Sequence, residues 1–227
     1  MRPVVVLVGA PGAGKTTVGR VLARRLGVGF TDVDAVIVER IGKPIADMFL
    51  EEGEPAFREL ERAVVAEALS EVDGVLALGG GSVLDERTRL LLRGHRVVHL
   101  TVGLTDGLRR TGMSTARPLL AGVNPRATFR ALLEARAPLY REVATIEVDT
   151  TRRSTNQVAR AVLEAIGESP AGADDPADDG VDESGDALHD TFHGPESASS
   201  AATDHAHAQD LGMPAVVPAA DPARRAR

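Results

Sequence analysis

The octapeptide Gly9-Ala10-Pro11-Gly12-Ala13-Gly14-Lys15-Thr16 matches the pattern G-x-x-x-x-G-K-[ST] at every position. An apolar run at residues 4–8 precedes it and is typical of a buried strand, and the apolar residues of 17–26 recur at helical spacing. A strand, a glycine-rich loop and a helix in this order form the context in which the pattern wraps a polyphosphate. We therefore expect the chain to bind a nucleoside triphosphate.

Two side chains of this loop have a predicted role of their own. The glycines allow backbone N–H groups to turn toward the phosphates, and the following helix adds its positive N-terminal end. Lys15 would then bridge the β- and γ-phosphates, while the Thr16 hydroxyl would complete the shell of a Mg²⁺ ion. The loop thus predicts a triphosphate that is bound together with Mg²⁺.

The distribution of charge divides the chain into two parts. Residues 1–167 carry 23 basic and 20 acidic side chains, whereas residues 168–227 carry 3 and 13. The C-terminal part is rich in Ala, Asp, Ser, Gly and Pro, and it has no periodic apolar stretch. Such a segment cannot bury enough apolar surface to offset its ordering entropy. We predict one compact domain over residues 1–167 and a disordered acidic tail over residues 168–227.

Several function classes are excluded by composition. The chain has no cysteine, so disulfides and thiol catalysis are ruled out. The apolar N-terminus is too short for a signal peptide, and no apolar stretch approaches the roughly 20 residues that span a bilayer. We therefore expect a soluble, cytoplasmic protein with no membrane partner. The near-neutral charge of residues 1–167 argues against a nucleic-acid partner.

Short apolar runs alternate with helical patterns through the rest of the domain. Buried strands are predicted over residues 28–31, 75–78, 97–102 and 144–148, and helices over 35–41, 45–51, 54–69, 86–92, 105–111, 126–142 and 154–166. This alternation predicts an α/β fold in which helices cover both faces of a parallel sheet, with ligands at the carboxyl ends of the strands. A long loop is predicted over residues 112–124, and loops of this length are usually functional lids or disordered.

Two motifs follow predicted strands and point to a second substrate. Asp32 and Asp34 come after the second strand, and in an extended segment their carboxylates would lie on the same side, one for a metal and one for an acceptor. The alternatives are a solvated pair of loop residues or a helix N-cap, since Asp34 precedes a predicted helix. The segment Gly79-Gly80-Gly81 follows the third strand and leaves bare backbone against which a ligand can lie. A plain turn is the alternative there.

The absence of other motifs narrows the class of nucleotide-binding protein. A GTPase would normally carry an Asn-Lys-x-Asp motif, and this sequence has none. A motor ATPase would normally end a later strand in Asp-Glu, and no predicted strand ends that way. A small-molecule kinase remains. Guanidinium groups grip carboxylates and phosphates in bidentate fashion, so arginines that converge on one cleft would suit an anionic acceptor and a transferring phosphoryl group. The candidates are Arg58, Arg110, Arg117, Arg136 and Arg153.

With these motifs assembled, residues 3–166 resemble shikimate kinase, a member of the nucleoside monophosphate kinase-like group. The likeness is carried by Gly9–Thr17, Asp32-Val33-Asp34, Phe57-Arg58, Leu78-Gly79-Gly80-Gly81, Arg109-Arg110-Thr111-Gly112, Arg117-Pro118-Leu119-Leu120 and Arg136-Ala137-Pro138-Leu139-Tyr140. The resemblance implies a three-layer αβα P-loop kinase fold with a five-stranded parallel sheet and a mobile lid. It also implies transfer of the γ-phosphoryl group of ATP to the 3-hydroxyl of shikimate, a step toward chorismate and the aromatic amino acids.

The resemblance further implies a role for individual residues. The ATP phosphates would be held by Gly12, Ala13, Gly14, Lys15, Thr16 and Thr17, with Arg110 near them, Arg117 closing over them with the lid and Arg153 against the adenine. Thr16 and Asp32 would bind Mg²⁺. On the acceptor side, Asp34 would bind the hydroxyls of shikimate and act as the base, Arg58 and Arg136 would grip its carboxylate, and Gly79, Gly80 and Gly81 would contact its ring. Lys15, Asp34 and Arg117 are the implied catalytic residues, and we expect the protein to act as a monomer.

Three other functions stay open at this point. A gluconate-type sugar-acid kinase shares the phosphate loop and an anionic acceptor, and the full motif set alone disfavours it. A non-catalytic nucleotide-binding regulatory module would need neither an acceptor-side carboxylate such as Asp34 nor a lid arginine such as Arg117. A stand-alone ATPase would release phosphate without any acceptor.

Overall fold

The computed structural model describes residues 3–111 and 124–168. The strands are β1 (Val5–Val8), β2 (Gly29–Asp32), β3 (Gly74–Ala77), β4 (Val97–Thr101) and β5 (Ile146–Asp149). The helices are α1 (Lys15–Leu26), α2 (Val33–Ile41), α3 (Ile45–Glu51), α4 (Gly53–Glu71), α5 (Glu86–Leu91), α6 (Leu104–Thr111), α7 (Pro125–Val143) and α8 (Thr155–Ile166). Strands and helices alternate, which requires crossover connections between parallel strands.

The five strands form one parallel sheet in the order β2-β3-β1-β4-β5. Strand β1 is central, and its residue Val6 is in register with Leu76 of β3 on one side and Val97 of β4 on the other. The chain leaves β1 toward β2 at one edge and later returns to place β4 on the opposite side. The loop after β1 therefore lies where the direction of winding reverses, the usual position of a ligand site in such sheets.

Two hydrophobic cores cover the two faces of the sheet. Val5 and Leu7 of β1 pack into the core that includes residues of α1 and α8, whereas Val6 and Val8 pack into the core beneath α2, α4 and α7. All four side chains are at most 1% exposed. This alternation explains why the strand is apolar throughout, since both of its faces are buried. The predicted three-layer fold with a five-stranded parallel sheet is thus confirmed.

The start of α2 corrects one sequence-based argument. Asp34 is not in an extended segment but in the first turn of α2, and the N-cap of that helix is Asp32, whose Oδ1 accepts from the Asp34 N–H at 3.1 Å. The interpretation of Asp34 as an N-cap was therefore wrong, because the N-cap is Asp32, two residues earlier. An aspartate at the N-cap satisfies an otherwise unpaired amide of the first turn. Of the predicted lid loop, residues 112–123 lie outside the described residues, and its last residue, Asn124, is the N-cap of α7. Of the predicted tail, residues 169–227 lie outside the described residues.

Every other predicted element overlaps an observed one, with shifts of a few residues at the ends. One short 3₁₀ helix, Ser82–Leu84, was not predicted. It follows directly on the glycine segment after β3, in which Gly80 and Gly81 form a turn. Among the helices in the described part of the chain, none is both long enough and apolar enough to cross a membrane.

Candidate active site

The glycine-rich loop lies at the carboxyl end of the central strand β1. Gly12 and Gly14 have φ angles of 77° and 89°, in the left-handed region that other residues rarely adopt. A Cβ atom at Gly12 would also lie 2.7 Å from the carbonyl oxygen of Gly107 in α6. Within the loop, the Ala13 amide donates to the Ala10 carbonyl at 3.1 Å. The glycines are therefore required both by backbone conformation and by close packing.

The side chain of Lys15 folds back across this loop. Its Nζ donates to the carbonyl oxygens of Gly9 at 2.8 Å and Ala10 at 3.2 Å. Lys15 is also the first residue of α1, whose first turn has no acidic residue and no capping side chain among the described residues. A helix N-terminus without a side-chain cap presents amide donors and a positive dipole end to an anion. The loop thus combines an ammonium group with the features of a phosphate site.

Thr16 and Asp32 lie side by side at the edge of this loop. The Thr16 hydroxyl donates to Asp32 Oδ2 at 2.6 Å, while Oδ1 of the same carboxylate caps α2. The described residues contain no group of three or more His, Cys, Asp or Glu side chains that could hold a metal by themselves. A hydroxyl and a carboxylate still fit Mg²⁺, which prefers oxygen ligands and takes most of its shell from water and phosphate.

A second group of polar side chains surrounds the glycine segment after β3. A Cβ atom at Gly79 would lie 2.6 Å from Asp34 Oδ1 and 2.9 Å from Glu61 Oε1. Glu61 is only 2% exposed, and its Oε1 accepts from the Ser82 hydroxyl at 2.6 Å. A side chain at position 79 would displace one of these carboxylates. The absence of a Cβ atom there lets two acidic groups from different helices meet over the same backbone.

Arg58 is clamped by two carboxylates on its own helix, α4. Its Nη1 donates to Glu61 Oε2 at 2.6 Å, and its Nε and Nη2 donate to Glu54 Oε1 at 3.2 and 3.0 Å. Burial alone lowers the pKa of Arg58, but the charges and hydrogen bonds of Glu61 and Glu54 outweigh it and raise the pKa above its ordinary value. A Cβ atom at Gly81 would lie 2.7 Å from Nη2, so the guanidinium lies directly on the glycine segment.

Arg136 reaches the same segment from the other side, from α7. Its Nη1 donates to the Gly80 carbonyl at 2.9 Å, and the hydroxyl of Tyr140 donates to the same oxygen at 2.6 Å. Arg136 is 9% exposed and Tyr140 is 2% exposed. Burial raises the pKa of Tyr140 to about 12, so the phenol stays protonated and acts as a donor. One carbonyl oxygen is therefore held by two buried side chains.

The phosphate loop and the glycine segment touch each other. A Cβ atom at Gly80 would lie 3.0 Å from Cδ of Pro11 in the phosphate loop. The two groups of predicted residues are thus neighbours: a cationic phosphate site with Lys15 on one side, and Asp34, Arg58 and Arg136 on the other. This arrangement brings one carboxylate and two guanidinium groups directly beside the glycine-rich loop.

Arg110 and Arg153 lie together at a different place, beyond the carboxyl end of β5. Arg110 donates from Nη1 to the Thr150 hydroxyl and from Nη2 to the Thr150 carbonyl, both at 2.9 Å. Arg153 donates to the carbonyl of Asp149 at 3.2 Å and is exposed. Both arginines therefore border the segment that follows β5. Arg117 lies outside the described residues.

Three site residues were not singled out from the sequence: Glu61, Ser82 and Tyr140. Two of them could have been predicted from helical spacing. Glu61 follows Arg58 by three residues and Tyr140 follows Arg136 by four, so each pair shares one face of its helix. Ser82 had no such signal, because its contact with Glu61 depends on how the 3₁₀ turn meets α4.

The comparisons with known proteins agree with this geometry. The family model described as shikimate kinase matches residues 11–167. Shikimate kinase of Saccharopolyspora erythraea is 61% identical over 166 residues, which cover 73% of this chain and 95% of that protein. Shikimate kinase of Thermobifida fusca is 54% identical over 173 residues, 76% of this chain and 98% of that one. The solved structure of shikimate kinase from Acinetobacter baumannii in complex with shikimate has a TM-score of 0.69 at 41% identity, covering 71% of this chain and 91% of its own.

Proposed function

This chain belongs to the shikimate kinase family, and we propose that it transfers the γ-phosphoryl group of ATP to the 3-hydroxyl of shikimate. The observation that carries the proposal is the contact between Pro11 and Gly80, because it joins a phosphate loop to a group of side chains with the buried Arg136, the partly buried Arg58 and the carboxylate of Asp34. Phosphoryl transfer needs the acceptor hydroxyl and the γ-phosphate held in line and close together. Adjacent sites for the two substrates supply that arrangement.

On the nucleotide side, we assign the ATP phosphates to the backbone of residues 12–17 and to Lys15. Its Nζ lies on the carbonyls of Gly9 and Ala10 and can turn to the phosphates when they bind. Thr16 and Asp32 would hold Mg²⁺, which would neutralise charge on the β- and γ-phosphates. Arg110 and Arg153 would border the nucleotide beyond β5, and Arg117 would reach the phosphates from the lid.

On the acceptor side, we assign the shikimate carboxylate to Arg58 and Arg136. Each guanidinium has five N–H donors, and Arg136 uses one of them on the Gly80 carbonyl, so others remain for a ligand. Arg58 is engaged by both Glu61 and Glu54, and only Glu54 is well exposed, with 55% of its side chain accessible. The substrate carboxylate would displace the exposed Glu54, while the buried Glu61 would keep the guanidinium in place.

Asp34 would then act on the attacking hydroxyl. Its carboxylate lies against Gly79, and the next residue, Gly80, contacts Pro11 of the phosphate loop and accepts from Arg136. As the new bond forms between the 3-oxygen of shikimate and the γ-phosphorus, the bond from that phosphorus to the β–γ bridging oxygen breaks and ADP leaves. The hydroxyl proton would pass to the carboxylate of Asp34. Lys15 and Arg117 would stabilise the charge on the transferring group.

The expected domain boundary, cellular location and oligomeric state are part of the same proposal. Residues 1–167 would form the catalytic domain, and residues 168–227 would be an acidic tail that takes no part in the chemistry. The protein would act as a cytoplasmic monomer on a small-molecule acceptor.

The test is ADP formation from MgATP by the purified full chain with shikimate, with gluconate and with no acceptor. We expect turnover only with shikimate, and a product whose mass and ³¹P spectrum fit a phosphate monoester at the 3-oxygen. The control is Lys15→Met, which keeps the length of the side chain but removes its charge and should lose most of the activity.

Two results would overturn the assignment. Turnover with gluconate in place of shikimate would preserve the kinase chemistry but change the acceptor. ATP binding without turnover on any acceptor would favour a regulatory module.

A further inference from the structure

Tyr140 makes a contact that the proposed reaction does not yet use. Its hydroxyl and Arg136 Nη1 occupy the two lone-pair positions of one oxygen, the Gly80 carbonyl, at 2.6 and 2.9 Å. The two donors stand one helical turn apart on α7, on the same face of that helix. Gly80 thus receives two buried donors from a single rigid element.

The ring of Tyr140 is held in turn by His99 of β4. The two rings are stacked, with centroids 4.8 Å apart and an interplanar angle of 22°. His99 is fixed from two directions. Its Nδ1 is 3.1 Å from Glu147 Oε2 on β5, and its backbone is in register with Val8, the last residue of the strand before the phosphate loop. The stack therefore connects the strand that carries the phosphate loop to the Gly80 carbonyl.

In the glycine segment, the Gly79 carbonyl accepts from the Ser82 N–H at 3.2 Å and the Gly81 carbonyl from the Leu84 N–H at 2.9 Å, while the middle carbonyl, that of Gly80, accepts from α7. Gly79, Gly80 and Gly81 have no side chains, so packing of their own cannot restrict the backbone, which is intrinsically permissive. The peptide plane is rigid, so pinning the Gly80 carbonyl toward α7 also fixes the direction of the Gly81 N–H, which points the opposite way across a trans peptide. At the Gly80 oxygen, Arg136 and Tyr140 of α7 hold this plane directly.

We propose that Tyr140 is a positioning residue for the acceptor, and that His99 acts through it by holding its ring. The phenol hydroxyl keeps the Gly80–Gly81 peptide and Arg136 in the geometry that the acceptor needs. The hydroxyl touches neither substrate and takes no proton in the reaction. This inference rests on the assignment of the glycine segment and Arg136 to the acceptor site.

The decisive variant is Tyr140→Phe, which removes one oxygen atom and keeps the stacked ring. We expect the KM for shikimate to rise about five- to tenfold, as for the loss of one hydrogen bond, with the KM for MgATP unchanged. The matched control is Val162→Ala. This residue of α8 is fully buried in the other core, so its loss of packing should lower Tm while leaving both KM values unchanged.

The role of His99 is tested by non-additivity. His99→Ala alone should raise the KM for shikimate by less than Tyr140→Phe does, because the hydroxyl remains but its ring is less restrained. The double variant should be no worse than Tyr140→Phe alone, since His99 acts only through that hydroxyl. A further rise in the double variant would overturn the assignment of His99.

The outcomes separate this inference from the proposed function. If the wild-type chain phosphorylates shikimate but folded Tyr140→Phe has an unchanged KM for shikimate, the positioning role is wrong and the kinase assignment stands. The positioning role is equally wrong if both KM values rise together or if Val162→Ala shifts the KM for shikimate as much. If the wild-type chain does not phosphorylate shikimate, the proposed function itself fails.

Discussion

The guanidinium of Arg58 lies 2.6 Å from the carboxylate of Glu61, which is buried, and 3.0 Å from that of Glu54, which is exposed. The two carboxylates come from the same helix, three residues after and four residues before the arginine. Their opposite exposure predicts opposite roles. Glu61 holds the guanidinium in the pocket, whereas Glu54 occupies the position that a substrate carboxylate would take.

We therefore expect Glu61→Gln and Glu54→Gln to change shikimate binding in opposite directions. Glu61→Gln keeps an oxygen for the Ser82 hydroxyl but loses the charge that orients Arg58, and should raise the KM for shikimate about tenfold. Glu54→Gln removes a competitor for the same guanidinium and should lower that KM or leave it unchanged. Steady-state kinetics at saturating MgATP measure both. A rise in KM for Glu54→Gln would contradict the displacement of Glu54.

The pairing of Thr16 with Asp32 predicts a dependence on Mg²⁺. Asp32→Asn can still cap α2 through its side-chain oxygen but loses the negative charge beside Thr16. We expect a higher Mg²⁺ concentration for half-maximal rate and a lower kcat, with stability close to that of the wild type. Asp32→Ala is the comparison, because it also loses the cap and should unfold about 1 kcal/mol more easily. An unchanged Mg²⁺ titration in Asp32→Asn would exclude the carboxylate from the metal site.

Most of the fold was predictable from local sequence, because its elements follow from patterns that act over short distances. The apolar run at β1 and the helical spacing of α4 both describe which side chains face a core. Glycines with positive φ set the start of α1 and its end at Gly27. Patterns of this range say which element a residue joins, but they do not say which residues from separate elements meet.

The parts of the site that were missed depend on such meetings. In the sequence, Glu61 is one of several acidic residues on an amphipathic helix. Its role depends on Ser82, which lies 21 positions later in the chain and which the 3₁₀ turn brings into contact with it. In the sequence, Tyr140 has the pattern of a core aromatic residue. Only the structure shows that its hydroxyl binds the carbonyl of Gly80, 60 positions earlier. The error about Asp34 has a different, local origin: Asp32 caps α2 two residues earlier, so a helix begins where an extended segment was expected.

Arg136 should act mainly on acceptor binding. Arg136→Ala removes a charge and a fork of donors, and we expect the KM for shikimate to rise about 10- to 100-fold with little change in the KM for MgATP. Arg136→Lys should recover only part of this loss, because an ammonium keeps the charge but not the bidentate geometry. The comparison of the two variants measures how much of the binding depends on geometry. A KM for shikimate that stays at the wild-type value in Arg136→Ala would rule out the carboxylate clamp.

Arg117, which lies outside the described residues, should act mainly on the chemical step. If it reaches the phosphates from the lid, Arg117→Ala should lower kcat about 100-fold or more and leave the KM for shikimate nearly unchanged. Single-turnover measurements with saturating substrates would show whether the loss is in the chemical step or in product release. Near-normal kcat in this variant would remove Arg117 from the catalytic residues.

His99 predicts how stability depends on pH. Burial lowers the pKa of His99 below 6.5, and the nearby Glu147 opposes this only in part, so the folded protein accepts a proton here less readily than the unfolded chain. Between pH 6.5 and the lowered pKa, the unfolded state binds more protons, and stability must therefore fall as the pH is lowered. Arg141 and Lys15 also face His99 and disfavour its charge. We expect the loss of unfolding free energy between pH 7.5 and 5.5 to be smaller in His99→Asn than in the wild type. Urea unfolding of both proteins at the two pH values measures this difference. The other histidines are the same in both proteins, so their contributions cancel in the comparison. Equal losses in the two proteins would mean that His99 is not held neutral by the fold.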